Sequence, residues 1–293
     1  MGGFLTVCAG ILAYGALVES NKLTIEMVNL ELEGWPAELE GFRIAFIADL
    51  HVRDEYSCRL AQRAIEQALL VNPDLILFGG DFVAYPNARC LKFLSEALQP
   101  IRAFKGKRLT CLGNHDYKLK PCPKNSQRNQ SMKWTADGDS PIVPILQEYG
   151  ITCLENGICD LGPVIIAGIG CATLGLDDAP LTITLASSYE KPVICLWHEP
   201  DMVDELPLGS CLMLSGHSHG GQFTFWWGWT PLYTELGRRY PRGYYPNTKT
   251  PLYVSRGVGT TGPPSRLNCA PEVSILTLSK APLAIESTAS KVN

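Results

Sequence analysis

A series of short apolar runs in this chain ends in residues that bind metal ions, and all five histidines fall in those endings. Arg43–Ala48 (RIAFIA) leads into Asp49-Leu50-His51, and Asp74–Phe78 (DLILF) into Gly79-Gly80-Asp81. Arg108–Leu112 leads into Gly113-Asn114-His115-Asp116. Further on, Val193–Trp197 precedes His198-Glu199-Pro200, and Cys211–Leu214 precedes Gly216-His217-Ser218-His219-Gly220. Runs this short and apolar read as buried strands. Between the first three lie helical spacings: Leu60, Ala61, Ala64, Ile65, Ala68 and Leu69 within Tyr56–Leu70, then Leu91, Leu94 and Leu98. The β-α-β-α-β order predicts an α/β sheet with helical crossovers. In such a sheet the residues at the carboxyl ends of the strands converge on one crevice.

The residue types suit that crevice to metal chemistry. In Asp-x-His and His-x-His, an extended strand end puts both side chains on one face, within reach of one ion. Carboxylate and amide oxygens with imidazole nitrogens suit Mn²⁺, Fe²⁺, Zn²⁺ or Mg²⁺. A shared carboxylate can bridge two ions about 3.5–4 Å apart, which clamp the attacking and leaving oxygens of an in-line displacement. Taken singly, Asp-x-His arises by chance, Gly-Gly-Asp is commonly a turn, and a lone buried His is more often a hydrogen-bonded core residue. The joint order of the motifs carries the metal reading.

Composition narrows the rest. With 293 residues, 46% hydrophobic and 18% charged, the chain is neither disordered nor collagen-like nor a multi-span membrane protein. A net charge of −4 without a basic tail argues against nucleic acid as a partner. The eleven cysteines are odd in number and scattered, and Cys111, Cys195 and Cys211 sit in apolar runs, which points to a reducing compartment. No Cys-x-x-Cys occurs, which speaks against a cysteine-based redox or zinc module.

Residues 1–18 carry no charge, and Phe4–Val18 is an almost unbroken apolar run at the short limit of a membrane span. Residues 1–20 are expected to form a hydrophobic helix that anchors in or lies embedded in a membrane; packing on the core and a cleaved signal are the alternatives. Lys22 favours a cytosolic body under the positive-inside bias. A strand-like entry spans Glu19–Glu40. Residues 117–140 form a polar insertion carrying Lys118, Lys120, Lys124, Arg128 and Lys133, read as a lid or surface loop. A helix is expected at Ile142–Tyr149, then strands at Ile151–Leu154, Val164–Ile169, Leu252–Ser255 and Val273–Leu278.

The order Asp-x-His, Gly-Asp, Gly-Asn-His-Asp, His, Gly-His-x-His resembles that of the calcineurin-like metallophosphoesterases, over residues 41–280. The resemblance implies a four-layer α-β-β-α sandwich of two mixed sheets and two divalent metal ions, Mn²⁺ first, with Mg²⁺, Fe²⁺ or Zn²⁺ as alternatives. By motif, Asp49, His51, Asp81 and His219 would hold the first ion. Asp81 would bridge, and Asn114, His198 and His217 would complete the second. His115 would face the substrate as acid or charge stabiliser. Many members carry an acidic or amide residue three positions after the bridging Asp to orient this histidine; here that position is Ala84, so either Asp116 or another group does the task, or His115 is less firmly held. Tyr253–Gly259, Asn268–Glu272 and Gly220-Gly221-Gln222 are similar to the membrane-associated branch, which often has an N-terminal hydrophobic segment.

Trp226, Trp227 and Trp229 follow the last motif, with Arg238, Arg239 and Arg242 close behind. Trp favours the membrane–water boundary and Arg pairs with phosphate, so these six are the candidate substrate-binding residues, although individual rings here could equally fill the core. With the apolar N-terminus and the basic insertion, they suggest an anionic, amphiphilic phosphoester reached from a membrane surface, with no protein partner. Within the resembled family, the bacterial enzymes that cleave the pyrophosphate of UDP-2,3-diacylglucosamine to UMP and 2,3-diacylglucosamine 1-phosphate in lipid A biosynthesis fit this description. That would put the chain at the inner membrane with its catalytic domain on the cytoplasmic face. A membrane-associated phosphodiesterase or phosphatase on another phospholipid or polyprenyl phosphate is the alternative. A non-catalytic scaffold is disfavoured by the unbroken motifs.

Overall fold

The computed structural model describes residues 2–122, 133–225, 228–231, 233–262 and 264–281, with side chains from Gly10 onward. In chain order come α1 (Gly2–Leu17), β1 (Thr24–Leu32), β2 (Phe42–Ile47), α2 (Glu55–Leu70), β3 (Leu75–Phe78), α3 (Ala88–Ala97) and β4 (Lys107–Thr110). A hairpin of β5 (Leu119–Pro121) and β6 (Trp134–Ala136) follows, then α4 (Val143–Glu148), β7 (Thr152–Cys153), β8 (Gly157–Asp160) and β9 (Ile165–Gly168). The remainder is α5 (Ala179–Ser187), β10 (Val193–Leu196), β11 (Leu212–Ser215), β12 (Gly243–Tyr245), β13 (Leu252–Val254) and β14 (Glu272–Lys280).

The strands build two six-stranded mixed sheets, ordered β1-β14-β2-β3-β4-β7 and β12-β13-β11-β10-β9-β8. Their period of two explains the layering. In β2, Ala45 and Ile47 face α2 and α3, packing with Ala61, Ala64, Ile65 and Leu94. The alternate residues Ile44 and Phe46 face the second sheet and meet Ile166, Ile194, Leu196 and Leu214. On the far side of the second sheet, Ile165, Ala167, Val193 and Cys195 pack on Ala179, Ile183 and Ala186 of α5. Each central strand is thus buried on both faces, which is why the runs lack polar alternation.

Periodicity does not foresee α5. Its Thr182-Ile183-Thr184 stretch is β-branched, a strand preference. Local end signals override it: Asp178 caps the helix by accepting from the Leu181 amide, and Pro180 sits in the first turn. The short β8 and β12 also escape a hydrophobic-run reading. The expected insertion is the β5–β6 hairpin, and Lys124 and Arg128 lie outside the described residues. Helix α1 has 16 residues, about 24 Å at 1.5 Å per residue. No described helix is long and apolar enough to cross a membrane.

Candidate metal centre

The loops after β2, β3 and β4 of one sheet and after β10 and β11 of the other meet at one end of the sandwich. They bring together Asp49, His51 and His219; His51, Asp81 and His115; and Asp81, His198 and His217, with the ligating atoms of each group within 4.8 Å of one another. Asp81 belongs to two groups: its Oδ2 lies 3.4 Å from His51 Nε2 and 3.2 Å from His198 Nε2. His219 Nε2 lies 3.0 Å from His51 Nε2 and 3.7 Å from Asp49 Oδ1. Apart from His115, these side chains are buried.

The backbone reaches this convergence through a costly conformation. Asp49, His51, Asp81, His217 and His219 have φ of 54°, 44°, 55°, 67° and 52°. For residues with a Cβ this left-handed region costs about 1–2 kcal/mol each. Hydrogen bonds hold the turns: Asp49 N donates to Gly80 O at 3.0 Å and His51 N to Asp81 O at 3.0 Å. The carboxylates also accept main-chain donors, Asp49 Oδ1 from His217 N and Asp81 Oδ1 from His115 N, both at 2.9 Å.

Carbonyls orient the imidazoles. His198 Nδ1 lies 2.6 Å from Gly79 O, and His217 Nε2 lies 2.6 Å from Glu235 O. A carbonyl accepts only, so these nitrogens donate, and each opposite nitrogen is left facing the crevice. His115 Nδ1 lies 2.9 Å from Ala84 O in the same way. This corrects the expectation for Asp116. Its carboxylate is fully buried and accepts from Asp81 N (2.8 Å), Phe82 N (2.8 Å) and Gly113 N (3.0 Å), so it binds the loops of β3 and β4 together. The main chain of Ala84 orients His115 instead.

Burial pushes Asp49 up to about 7, and burial together with Asp81 raises Asp116 to about 7. Burial also acts to raise Asp81, but His198 and His115 prevail and hold it well below the carboxylate range. His198 answers in the opposite direction: burial opposes its charge, yet Asp81 raises it well above the usual value. Burial lowers His51, His217 and His219. His51, His217, His219 and Asp81 thus stand in the protonation states a metal requires, whereas Asp49 and His198 release protons to bind one.

Further observations fit this donor set to divalent ions. Asn114 Oδ1 is buried without a hydrogen-bond partner among the described residues. A Cβ at Gly113 would stand 2.2 Å from Asp81 Oδ1 and 2.7 Å from His198 Nε2, and one at Gly216 would stand 2.4 Å from Asp49 Oδ2. The glycines thus let the backbone pass closely behind the donors.

The expected substrate-binding residues are placed unevenly. A cavity of ≈ 360 Å³ opens beside the metal cluster, lined by His219, Gln222, Pro231, Tyr233, Thr234 and Thr261 among others. Arg238 lies over the ring of Tyr233, a lining residue, at 5.1 Å. Arg239 instead pairs with Asp204, and Arg242 Nη1 donates to Thr224 Oγ1 at 3.1 Å. Trp229 is half exposed and packs on Phe225; Trp226 and Trp227 lie outside the described residues. Sequence reasoning missed the carbonyls of Ala84 and Glu235, since a backbone group leaves no residue-type signal. It also missed the buried Arg266.

Comparison with known proteins agrees with this architecture. The profile of the calcineurin-like phosphoesterases matches residues 42–221. The chain is similar to phosphodiesterase YaeI of Escherichia coli, 31% identical with 86% of this chain and 88% of that protein covered. It is similar to the uncharacterized metallophosphoesterase YkuE of Bacillus subtilis, at 27% over 94% and 92%. It is also similar to UDP-2,3-diacylglucosamine pyrophosphatase LpxG of Chlamydia muridarum, at 27% over 83% and 85%. The shared profile, together with one crevice of aspartates, histidines and an asparagine at the strand ends, assigns the chain to the calcineurin-like phosphoesterases, as a metal-dependent hydrolase.

Proposed function

We propose that the chain hydrolyses the pyrophosphate of an amphiphilic nucleotide-linked lipid, UDP-2,3-diacylglucosamine, releasing UMP and 2,3-diacylglucosamine 1-phosphate. The observation that carries this reading is the setting of the metal cluster. The His219 cavity is bordered by Tyr233, beside a segment that exposes Phe225 and Trp229. Helix α1 exposes Ile11, Leu12 and Leu17, with Val18 exposed just after it, and the 266–267 segment ties both together: Arg266 N donates to Gly15 O and Thr224 N to Leu267 O. A phosphoester drawn partly out of a bilayer would meet apolar surface on its lipid side and donors for metal on its phosphate side. The relatives named UDP-2,3-diacylglucosamine pyrophosphatase support the same substrate class.

In this reading Asp49, His51, Asp81 and His219 hold one divalent ion, Mn²⁺ in our proposal, and Asp81, Asn114, His198 and His217 hold the other. When bound, such ions supply Lewis acidity to the phosphoryl oxygens. The chain's own residues do the rest. Asp81 keeps its negative charge between the two groups, and the carbonyls of Gly79 and Glu235 fix which nitrogens of His198 and His217 point inward. With His115 Nδ1–H fixed on Ala84 O, Nε2 is the atom that brings a proton to the leaving oxygen. Tyr233, with Arg238 over its ring, lines the cavity beside His219.

The unit is residues 41–280 carrying catalysis, with residues 1–20 lying in the membrane interface, and it sits on the cytoplasmic face of a bacterial inner membrane. The free, largely buried thiols support a reducing side. The test compares UDP-2,3-diacylglucosamine with its deacylated analogue and a simple phosphodiester, each with Mn²⁺ or Mg²⁺. A kcat/KM for the acylated substrate at least about tenfold above the deacylated one is expected, a modest return for apolar contact. Equal values overturn the lipid assignment. The similarity to phosphodiesterase YaeI favours a second reading, a membrane-associated phosphodiesterase or phosphatase on another lipid phosphate. Turnover of a phospholipid in place of the UDP compound would select it.

A further inference from the structure

Arg266 has no exposed surface, and among the described residues no carboxylate is in ion-pair contact with it. Its guanidinium donates to main-chain carbonyls instead. Nε reaches Gly259 O at 3.1 Å and Nη1 reaches Cys269 O at 3.0 Å. Nη2 reaches Arg256 O at 2.9 Å, Gly257 O at 3.0 Å and Gly259 O at 2.5 Å. Burying a cation with no carboxylate in contact is costly, and Asp49 and Glu272 offset that only at longer range, whereas a Met or Leu of similar volume would fill the space without the penalty. A cation kept here is explained by what those carbonyls hold in place.

The 256–259 segment grips the loop after β2. Gly259 N donates to Asp49 O at 2.6 Å and Val258 N to Ala48 O at 3.0 Å. The approach at Gly257 is so close that a Cβ there would stand 2.6 Å from Asp49 Cβ. On its other side, Arg266 Nη2 lies 3.5 Å from His219 Nδ1, and Cys269, whose carbonyl Arg266 holds, places Sγ 3.2 Å from His219 O. One guanidinium therefore closes on the backbone behind both Asp49 and His219, each of which is held at positive φ. The other half has separate supports: the carbonyls of Gly79 and Glu235 fix the rings of His198 and His217, and Asp116 holds the Asp81 amide.

We propose that Arg266 is a positioning residue for one half of the metal centre: it holds Asp49 and His219 in ligating geometry and leaves the Asp81–His198–His217 half to its own supports. The inference rests on the two-ion reading above.

The test uses the full chain as wild type, Arg266→Met and Arg266→Lys, stripped of metal and titrated with Mn²⁺. Free ion is followed by electron paramagnetic resonance, and far-ultraviolet circular dichroism reports folding. Wild type is expected to take up two ions per chain. In Arg266→Met one of them weakens by about 10–100-fold, the range for losing a group that supports a ligand, while the other stays unchanged. Its isotherm then matches that of His219→Ala and differs from that of His217→Ala. Arg266→Lys, which keeps the charge and some of the carbonyl bonds, falls between. A purely structural role predicts lower melting temperatures with both ions bound as in wild type, or both weakened equally; either result in a folded variant overturns the inference. Should Arg266→Met fail to fold, Arg266→Lys is judged by the same criterion. Fewer than two ions on wild type overturns the two-ion reading itself.

Discussion

The clearest case of one side chain with a separable role is His115. It stands at the edge of the cluster, less buried than the other histidines, with its ring 4.8 Å from that of His51. Its orientation comes from the Ala84 carbonyl, which survives any change of side chain at position 84. We expect His115→Ala to keep wild-type metal content and to lose about 10²-fold or more in kcat, the scale of removing one acid or charge stabiliser. Metal analysis beside steady-state kinetics checks this; unchanged turnover would remove His115 from the mechanism. The residue types at the centre were legible in the sequence because metal donors are few and all the histidines fall among them. The supports were not. Carbonyls at Gly79, Ala84 and Glu235 are invisible to residue-type reasoning, and an arginine at position 266 reads on paper as surface charge.

At the scale of elements, each donor sits just past the end of a strand, and the loop rather than the strand sets its direction. Asp116 shows how tightly this is built: by accepting from the amides of Asp81, Phe82 and Gly113, it locks the end of β3 to the end of β4. Gly113 is the element's weak point, since any Cβ collides with the bridging carboxylate. Gly113→Ala is therefore expected to leave a folded protein that binds Mn²⁺ at least about tenfold more weakly, as for loss of a ligand's support. Calorimetric titration checks it, and wild-type affinity would show that the loop yields. Strands were predictable because burial on both faces makes them continuous apolar runs. Helix α5 was missed because its apolar residues run around the whole helix and its β-branched stretch mimics a strand; only the cap at Asp178 and Pro180 marks it.

For the whole molecule, metal, protons and stability are linked. Without metal, Asp49 retains its proton up to about 7 and His198 is raised well above its usual value, whereas Asp81 is ionised throughout. Both raised groups contribute to the stability of the metal-free fold at lower pH and lose that contribution as pH rises through their folded values. The same rise in pH frees ligands for metal, and an ion that binds only the folded state adds about 2.7 kcal/mol at a hundredfold excess over Kd. The Tm gap between Mn²⁺-loaded and chelator-treated protein should therefore widen between about pH 6 and about pH 8. Differential scanning calorimetry across that range checks it; a constant gap would mean that metal displaces no protons.

The position of β14 carries a consequence for synthesis. This last strand of the sheet lies between β1 and β2, parallel to the first from Thr24↔Glu272 to Leu32↔Lys280 and antiparallel to the second. A chain emerging from the ribosome can pair β2, β3 and β4 early, but β1 has no neighbour and β2 keeps a bare edge until residue 280 is made. Contacts spanning almost the entire chain form last and slowly, and a bare strand edge invites pairing with other chains in the meantime. Translation that halts between His219 and β14 leaves every donor of the metal centre already synthesised on a sheet that cannot close.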